Sequence, residues 1–221
     1  MSRPVAYTRA QFAAHVLAGW PDDVSRETLD RLSRYEALLR KWQARINLVG
    51  PRTLNDVWRR HFLDSAQLFP LVPDPAATLI DFGSGAGFPG LVLAILASAV
   101  RPGLVVHLVE SDARKAAFLI EAVRETGAAA KVHTARVETM AGRLPAADVV
   151  TARALAPLST LLALAYPLLA PGGMGLFLKG AKAEAEIEAA RRDWRFQLDR
   201  RPSRSDPDGT VLTVIDIAPA R

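Results

Sequence analysis

Apolar positions follow two different rhythms along this chain. From residue 8 to about residue 72 they recur every three or four positions, the spacing of helices with one buried face. Thr8 is placed to cap a helix over residues 9–18, which Gly19 and Pro21 would end. Ser25 is placed to cap a longer helix. Its apolar residues Leu29, Leu32, Tyr35, Leu39, Trp42 and Ile46 share one face, and Asn47 with Gly50-Pro51 would stop it. Thr53 or Asn55 opens a third helical stretch through Trp58, His61, Phe62, Ser65 and Leu68. Pro70, Pro73 and Pro75 then mark a linker.

From Ala77 the rhythm becomes alternating strand and helix. Strands are predicted at 77–82, 104–110, 131–135, 147–152 and 174–179, with two more near 195–200 and 210–217. Helices fit between them at 89–99, 112–126, 137–142, 157–168 and 181–193. This alternation implies an α/β fold, a mostly parallel sheet covered on both faces. The turn-rich loop from Pro202 to Gly209 lets the last two strands form a hairpin, so the final strand is expected to run antiparallel. The division predicted is a helical extension over 1–75 and a sheet domain over 76–221.

The densest chemistry lies at the first strand, in Leu79-Ile80-Asp81-Phe82-Gly83-Ser84-Gly85-Ala86-Gly87-Phe88-Pro89-Gly90. An apolar run ends in an acid, glycines follow at every second position, and a proline opens a helix. Glycines let the backbone turn tightly and approach a ligand. Asp81 sits at the carboxyl end of the strand, where open α/β sheets bind ligands. The spacing D-x-G-x-G-x-G resembles the cofactor turn of S-adenosylmethionine-dependent methyltransferases. Gly85-x-Gly87-x-x-Gly90 also satisfies a dinucleotide frame. In that frame the glycines begin late after the strand, and Asp81 would repel a pyrophosphate. Val105 to Glu110 is a second apolar strand ending in an acid, placed for Glu110 to accept from both ribose hydroxyls of a nucleoside.

Composition narrows the chemistry. The 221 residues contain no cysteine, which excludes disulfides, thiolate metal sites and cysteine nucleophiles. The four histidines are scattered without metal-ligand spacing, so no metal site is expected. Net charge is +5, a modest excess that suits an anionic partner such as RNA. The residues from Met1 to Tyr7 lack the apolar core of a signal peptide, and the apolar run from Leu91 to Val100 is too short to span a bilayer. A soluble, cytoplasmic protein is expected.

The fourth strand ends Thr151-Ala152-Arg153-Ala154-Leu155. Adenine-amine methyltransferases carry an Asn or Asp, two prolines and an aromatic residue at this edge. Here Arg153 takes their place. An arginine can hold a carboxylate or phosphate, or donate twice to guanine O6 and N7. Guanine N7 carries a free lone pair, so its methylation needs no proton removal and rests on positioning.

With these motifs placed, nearly the whole chain resembles the bacterial small-subunit ribosomal RNA methyltransferase G family, also called glucose-inhibited division protein B. The resemblance rests on Lys41-Trp42, Asn47-Leu48, Arg60-His61-Phe62-Leu63-Asp64-Ser65, the segment from Asp81 to Gly90, Arg136-Val137-Glu138, Thr151-Ala152-Arg153-Ala154 and Leu178-Lys179-Gly180. It implies a Rossmann-like class I methyltransferase fold with seven strands, and S-adenosyl-L-methionine as cofactor. The implied reaction is methylation of N7 of a guanine in the 530 loop (guanine 527) of 16S rRNA, with the enzyme acting on the 30S subunit as a monomer. By motif match Gly83, Phe88, Val137, Glu138 and Arg153 would contact cofactor, beside Asp81, Gly85 and Glu110 read from the strand ends. Arg153 is also the expected catalytic residue. His61 and Asp64 would join the helical extension to the site. Lys179 and Lys182 would meet RNA phosphates. Many relatives carry an arginine just before the last strand, where this chain reads Asp208-Gly209-Thr210. Arg200, Arg201 and Arg204 are the candidates to replace it. The rival readings are a methyltransferase of protein or small molecules, a nicotinamide-dependent oxidoreductase, and an RNA-binding protein without turnover.

Overall fold

The computed structural model describes residues 7–17 and 25–220. Gly19 and Pro21, expected to end the first helix, lie outside the described residues, as do the first six. Helix α1 spans Arg9–Leu17, and α2 spans Arg26–Gln43. Ser25 caps α2 by accepting from the Thr28 amide. Helix α2 ends before Ile46, earlier than its apolar spacing suggests. The reason is the Gln43 side chain, which binds the Leu48 and Val49 amides and the Val49 carbonyl and so turns the chain.

The third helical stretch is not one regular helix. A 3-10 turn (Leu54–Asp56) leads into a wide, π-type segment (Trp58–Leu63), then a single α turn, α3 (Asp64–Ala66), and a 3-10 turn at Phe69–Leu71. Wide turns of this kind often occur at functional sites.

Strand and helix then alternate as expected. They are β1 (Thr78–Phe82), α4 (Gly90–Val100), β2 (Val105–Glu110), α5 (Ala113–Thr126), β3 (Ala130–Thr134), β4 (Ala147–Arg153), α6 (Leu158–Ala165), β5 (Leu169–Lys179), α7 (Ala183–Ala190), β6 (Trp194–Pro202) and β7 (Thr210–Pro219). The helix expected at 137–142 is only a 3-10 turn over Val137–Thr139, because Gly142 takes φ +73° and ends it. The sheet has seven strands in the order β3-β2-β1-β4-β5-β7-β6. Strands β1 to β5 pair in parallel, and β7 runs antiparallel to both β5 and β6. The order reverses between β1 and β4, so the loops after these strands face a shared crevice.

Alternation along β1 decides what each face holds. Ile80 and Phe82 join a core with Val150, Ala152, Leu161, Phe177 and Ile187. Leu79 belongs to the other core, which includes Leu91, Ile95 and Phe118 together with Phe12, Leu32, Tyr35 and Phe62 of the helical region. The helical region therefore packs over one face of the sheet and shares its core. Helix α4 is sandwiched between them, which explains its apolar character all round.

Candidate functional site

The turn after β1 is built by backbone geometry. Gly83, Gly85 and Gly87 all take positive φ, at 60°, 57° and 91°. The Ser84 amide donates to the Val109 carbonyl, which ties the turn to β2. A Cβ on Gly85 would meet only the Gly83 carbonyl, at 3.7 Å, so this position opens outward. Gly90 is different. A Cβ there would lie 2.5 Å from Leu108 and 2.6 Å from Asp81, so glycine is required for α4 to press on the sheet. Tyr35 of α2 donates its hydroxyl to the Ala86 carbonyl and braces the turn from the helical region.

Asp81 lies beneath this turn, fully buried. Thr151 donates to its Oδ1 at 2.8 Å, across the β1–β4 pairing. The Gly90 backbone lies beside Oδ2 without a well-directed hydrogen bond to it. Burial pushes this carboxyl up to about 6, against the hydrogen bonds and the Arg153 charge that favour ionisation. Asp81 lines neither of the clefts described below.

Glu110 ends β2 as the spacing suggested, but its carboxylate has taken up backbone work. Oε2 accepts from the Gly85 amide and Oε1 from the Asp112 amide, both at 2.8 Å. It thereby clamps the glycine turn to the start of α5. An ionised carboxylate has about four acceptor positions, so each oxygen keeps capacity for a hydroxyl. Beside it lies a cleft of about 200 Å³, lined by Gly83, Val109, Ser111, Ala135 to Glu138, Leu155, Ala156, Thr160 and Leu164. Val137 and Glu138 are thus brought to the wall of a mostly apolar slot.

A larger cleft of about 710 Å³ opens on the other side of Leu155 and Ala156. Arg153, His61, Asp64, Lys182 and the loop around Ser203 to Asp206 line it. Leu155 belongs to both clefts and lies over Gly83, 2.7 Å from where a Cβ would stand. The preceding Ala154 takes φ +53°, which turns the loop back over the glycines. Leu155 was not predicted. Its only signal in the sequence is an apolar residue following the arginine at a strand end.

Arg153 emerges from β4 on the face of the helical region. Its Nη1 donates to the Asp64 carboxylate at 3.1 Å and to the Arg60 carbonyl at 3.2 Å. Its guanidinium lies 4.9 Å over the Phe88 ring. His61 stacks on the same ring, 4.7 Å between centroids, and bonds Thr53 through Nε2. Burial, then the Arg153 and Arg60 charges, push His61 down to about 3, so the ring is neutral at physiological pH. Phe88 itself is buried and acts here as a platform for these two side chains.

The predicted RNA contacts divide. Lys182 lines the large cleft and is exposed. Lys179 also lines it, but its side chain is only 8% exposed. Its ammonium pairs with Glu186 at 2.7 Å and donates to the Ala156 carbonyl at 2.6 Å. Lys179 thus holds the loop after β4, and a phosphate there would compete with Glu186 for its charge. Glu186 completes that clamp by accepting from the Leu158 amide. Arg204 is exposed but lies away from the cleft lining. Its amide bonds Gln67 and its guanidinium the His15 carbonyl. Among the described residues no group of three or more potential ligands could hold a metal ion, and no helix is long and apolar enough to cross a membrane. His107 and His133, far apart in sequence, do meet across β2 and β3 at 3.0 Å.

Comparison with known proteins follows this geometry. Residues 28–203 match the family model for rRNA small subunit methyltransferase G. A ribosomal RNA small subunit methyltransferase G of Rhodospirillum centenum is 58% identical over 196 residues, covering 89% of this chain and 88% of that one. The Parvibaculum lavamentivorans protein of the same name is 54% identical over 211 residues, covering 90% and 93%. Among solved structures, an O-methyltransferase from Bacillus cereus in complex with SAH superposes with a TM-score of 0.58 at 13% identity, covering 95% of this chain and 100% of that one. At that identity it shows the fold, the seven-stranded Rossmann-like methyltransferase sheet. The match over most of the length, with the cofactor-type turn and the Arg153–Asp64 junction in place, shows that this chain belongs to the rRNA small subunit methyltransferase G family.

Proposed function

We propose that this protein transfers a methyl group from S-adenosyl-L-methionine to N7 of a guanine in 16S rRNA, at the 530 loop. The supporting observation is the pairing of the acid and base groups in the large cleft. Its carboxylates are all engaged, Asp64 with Arg153, Glu186 with Lys179 and Asp206 with Arg60, and His61 is pushed far below neutrality. Among the described residues the cleft thus presents no unpartnered carboxylate, and its one imidazole stays neutral well below pH 7. An amine or hydroxyl acceptor would call for a general base, whereas N7 does not.

The residues fit the cofactor. The outward-open Gly85, the remaining acceptor capacity of Glu110 and the apolar slot at Val137 and Glu138 suit an adenosyl group. When bound, the cofactor supplies an electrophilic methyl group on a sulfonium. The protein's part is to place it. Arg153 stands at the edge where the acceptor approaches, with Nε and Nη2 making no hydrogen bond among the described residues. That edge can grip a carboxylate, a phosphate or guanine O6 and N7. Lys182 offers a cation to a flanking phosphate. The substrate form proposed is the 30S subunit, met in the cytoplasm by a monomer.

The test is nucleoside analysis of 16S rRNA from cells with and without the gene. One N7-methylguanine should vanish in its absence and return when purified protein and S-adenosylmethionine are added to the 30S subunits. The turnover rate should show no steep rise from a catalytic base between pH 6 and about pH 8.5. A methylated amine, hydroxyl or protein side chain as product would overturn the proposal.

A further inference from the structure

We propose that Asp64 is a positioning residue that sets the orientation of Arg153 and couples it to the loop between β6 and β7. The inference rests on the methyltransferase reading above and deepens it. Asp64 sits in α3, directly after the wide π-type segment. Its two oxygens face two different parts of the chain. Oδ2 accepts from Arg153 Nη1, at the end of β4. Oδ1 accepts from the Ser205 hydroxyl and from Gln67 Nε2, with Ser203 Oγ at 3.5 Å. The Asp64 side chain is 14% exposed and that of Arg153 20%, so water screens this pair little.

The same segment makes further ties in both directions. The Arg60 carbonyl accepts a second bond from Arg153 Nη1. The Arg60 guanidinium pairs with Asp206 at 2.8 Å, and Gln67 Oε1 accepts from the Arg204 amide. All four loop residues, 203 to 206, are therefore held by Arg60, Asp64 and Gln67, directly or through Ser203. A flexible arginine has several rotamers, but two acceptors on one nitrogen, with Phe88 beneath, select one. That choice leaves the Nε–Nη2 edge without a hydrogen-bond partner among the described residues. The geometry makes Asp64 the link through which the loop wall of the cleft and the guanidinium keep one relative position.

A double-mutant cycle tests this, with methyl transfer to unmodified 30S subunits as the measurement. Asp64→Asn keeps the size but loses the charge and can accept at only one of its two terminal atoms. Arg153→Lys keeps the charge but loses the planar fork. Each single change should lower kcat about tenfold or more, because both disturb the same guanidinium geometry. The double variant should be no more than about twofold worse than the worse single, since residues acting as a unit do not add. A merely structural Asp64 would give losses that multiply. Melting temperatures of all variants are read alongside. Should Asp64→Asn fail to fold, Ser205→Ala takes its place in the cycle, with a smaller loss in kcat that again vanishes in the Arg153→Lys background. Asp64→Asn turnover within twofold of wild type, or losses that multiply in full, would overturn the inference. Failure of the underlying reading looks different, since the wild-type protein itself would then transfer no methyl group to the subunits.

Discussion

At the scale of single residues, two glycines of one motif do different jobs. Gly85 and Gly90 look alike in the sequence, but only the structure separates them. At Gly85 the backbone demands φ +57° and the space above is open. Gly85→Ala should therefore cost about 1–2 kcal/mol from the left-handed conformation, and a larger side chain would obstruct cofactor. Gly90→Ala should cost more, up to about 3 kcal/mol from overpacking, because its Cβ would strike Asp81 and Leu108. Urea unfolding of both variants checks this order. Glu110 carries a second prediction. Its carboxylate receives an amide at each oxygen, and Glu110→Gln can accept at only one. The Gly85 or Asp112 amide then loses its partner. Calorimetry should show the S-adenosylmethionine Kd rising about tenfold, near 1.4 kcal/mol. An unchanged Kd would confine Glu110 to a structural part. The sequence identified these residues because strand-end acids and alternating glycines have few other uses. It could not show that Asp81 is sealed beneath the turn, since the same letter serves for a buried and an exposed carboxylate.

Elements were legible to different degrees. The strands and most helices fall close to the periodicity, because each has one face committed to a core. The stretch after Thr53 read as a plain helix, since a π-type segment keeps nearly the same apolar spacing. The loop after β4 was legible only through Arg153. Its other supports come from β5 and α7, where Lys179 and Glu186 reach back to Ala156 and Leu158. Residue type alone gives a lysine near a cleft, and burial decides whether its charge is free. The brace from α2 to the glycine turn was equally hidden. Tyr35 read as one more apolar position on a buried face, yet its hydroxyl meets the Ala86 carbonyl. Tyr35→Phe keeps the packing against Phe62 and Phe88 and leaves that carbonyl without its donor. Stability should fall by about 1–3 kcal/mol. The loosened turn should also weaken cofactor binding, which separates this variant from an ordinary core substitution.

For the whole molecule, buried titratable groups govern how stability follows pH, the histidines against Asp81. His61 lies where the helical region meets the sheet, stacked on Phe88 and 6% exposed. Its pKa is pushed down to about 3 from 6.5, first by burial and then by Arg153 and Arg60. Burial pushes His107 down as well, to about 4, with His133 lowered beside it. The sign follows from proton counts. Below pH 6.5 an unfolded chain protonates these rings while the folded protein does not, so the unfolded state binds more protons. The histidine contribution to stability is therefore full above about pH 6.5 and falls as pH drops towards the folded pKa values. At pH 5 the His61 share of that loss is about 2 kcal/mol, from roughly 1.5 units at 1.36 kcal/mol each. Asp81 works the other way over the same window, because the folded protein takes up its proton near pH 6 and the unfolded chain only near 3.8. Urea unfolding between pH 7.5 and 4.5 should therefore show a net decline smaller than the histidine share. His61→Gln lowers stability at every pH through lost stacking, but it cannot be protonated. Its profile should be flatter than the wild-type one by about 2 kcal/mol between pH 7 and pH 5. Parallel profiles would mean that His61 is charged in the folded protein. The guanidinium of Arg153 would then stand beside a second cation, and the single arrangement of that cleft would not hold.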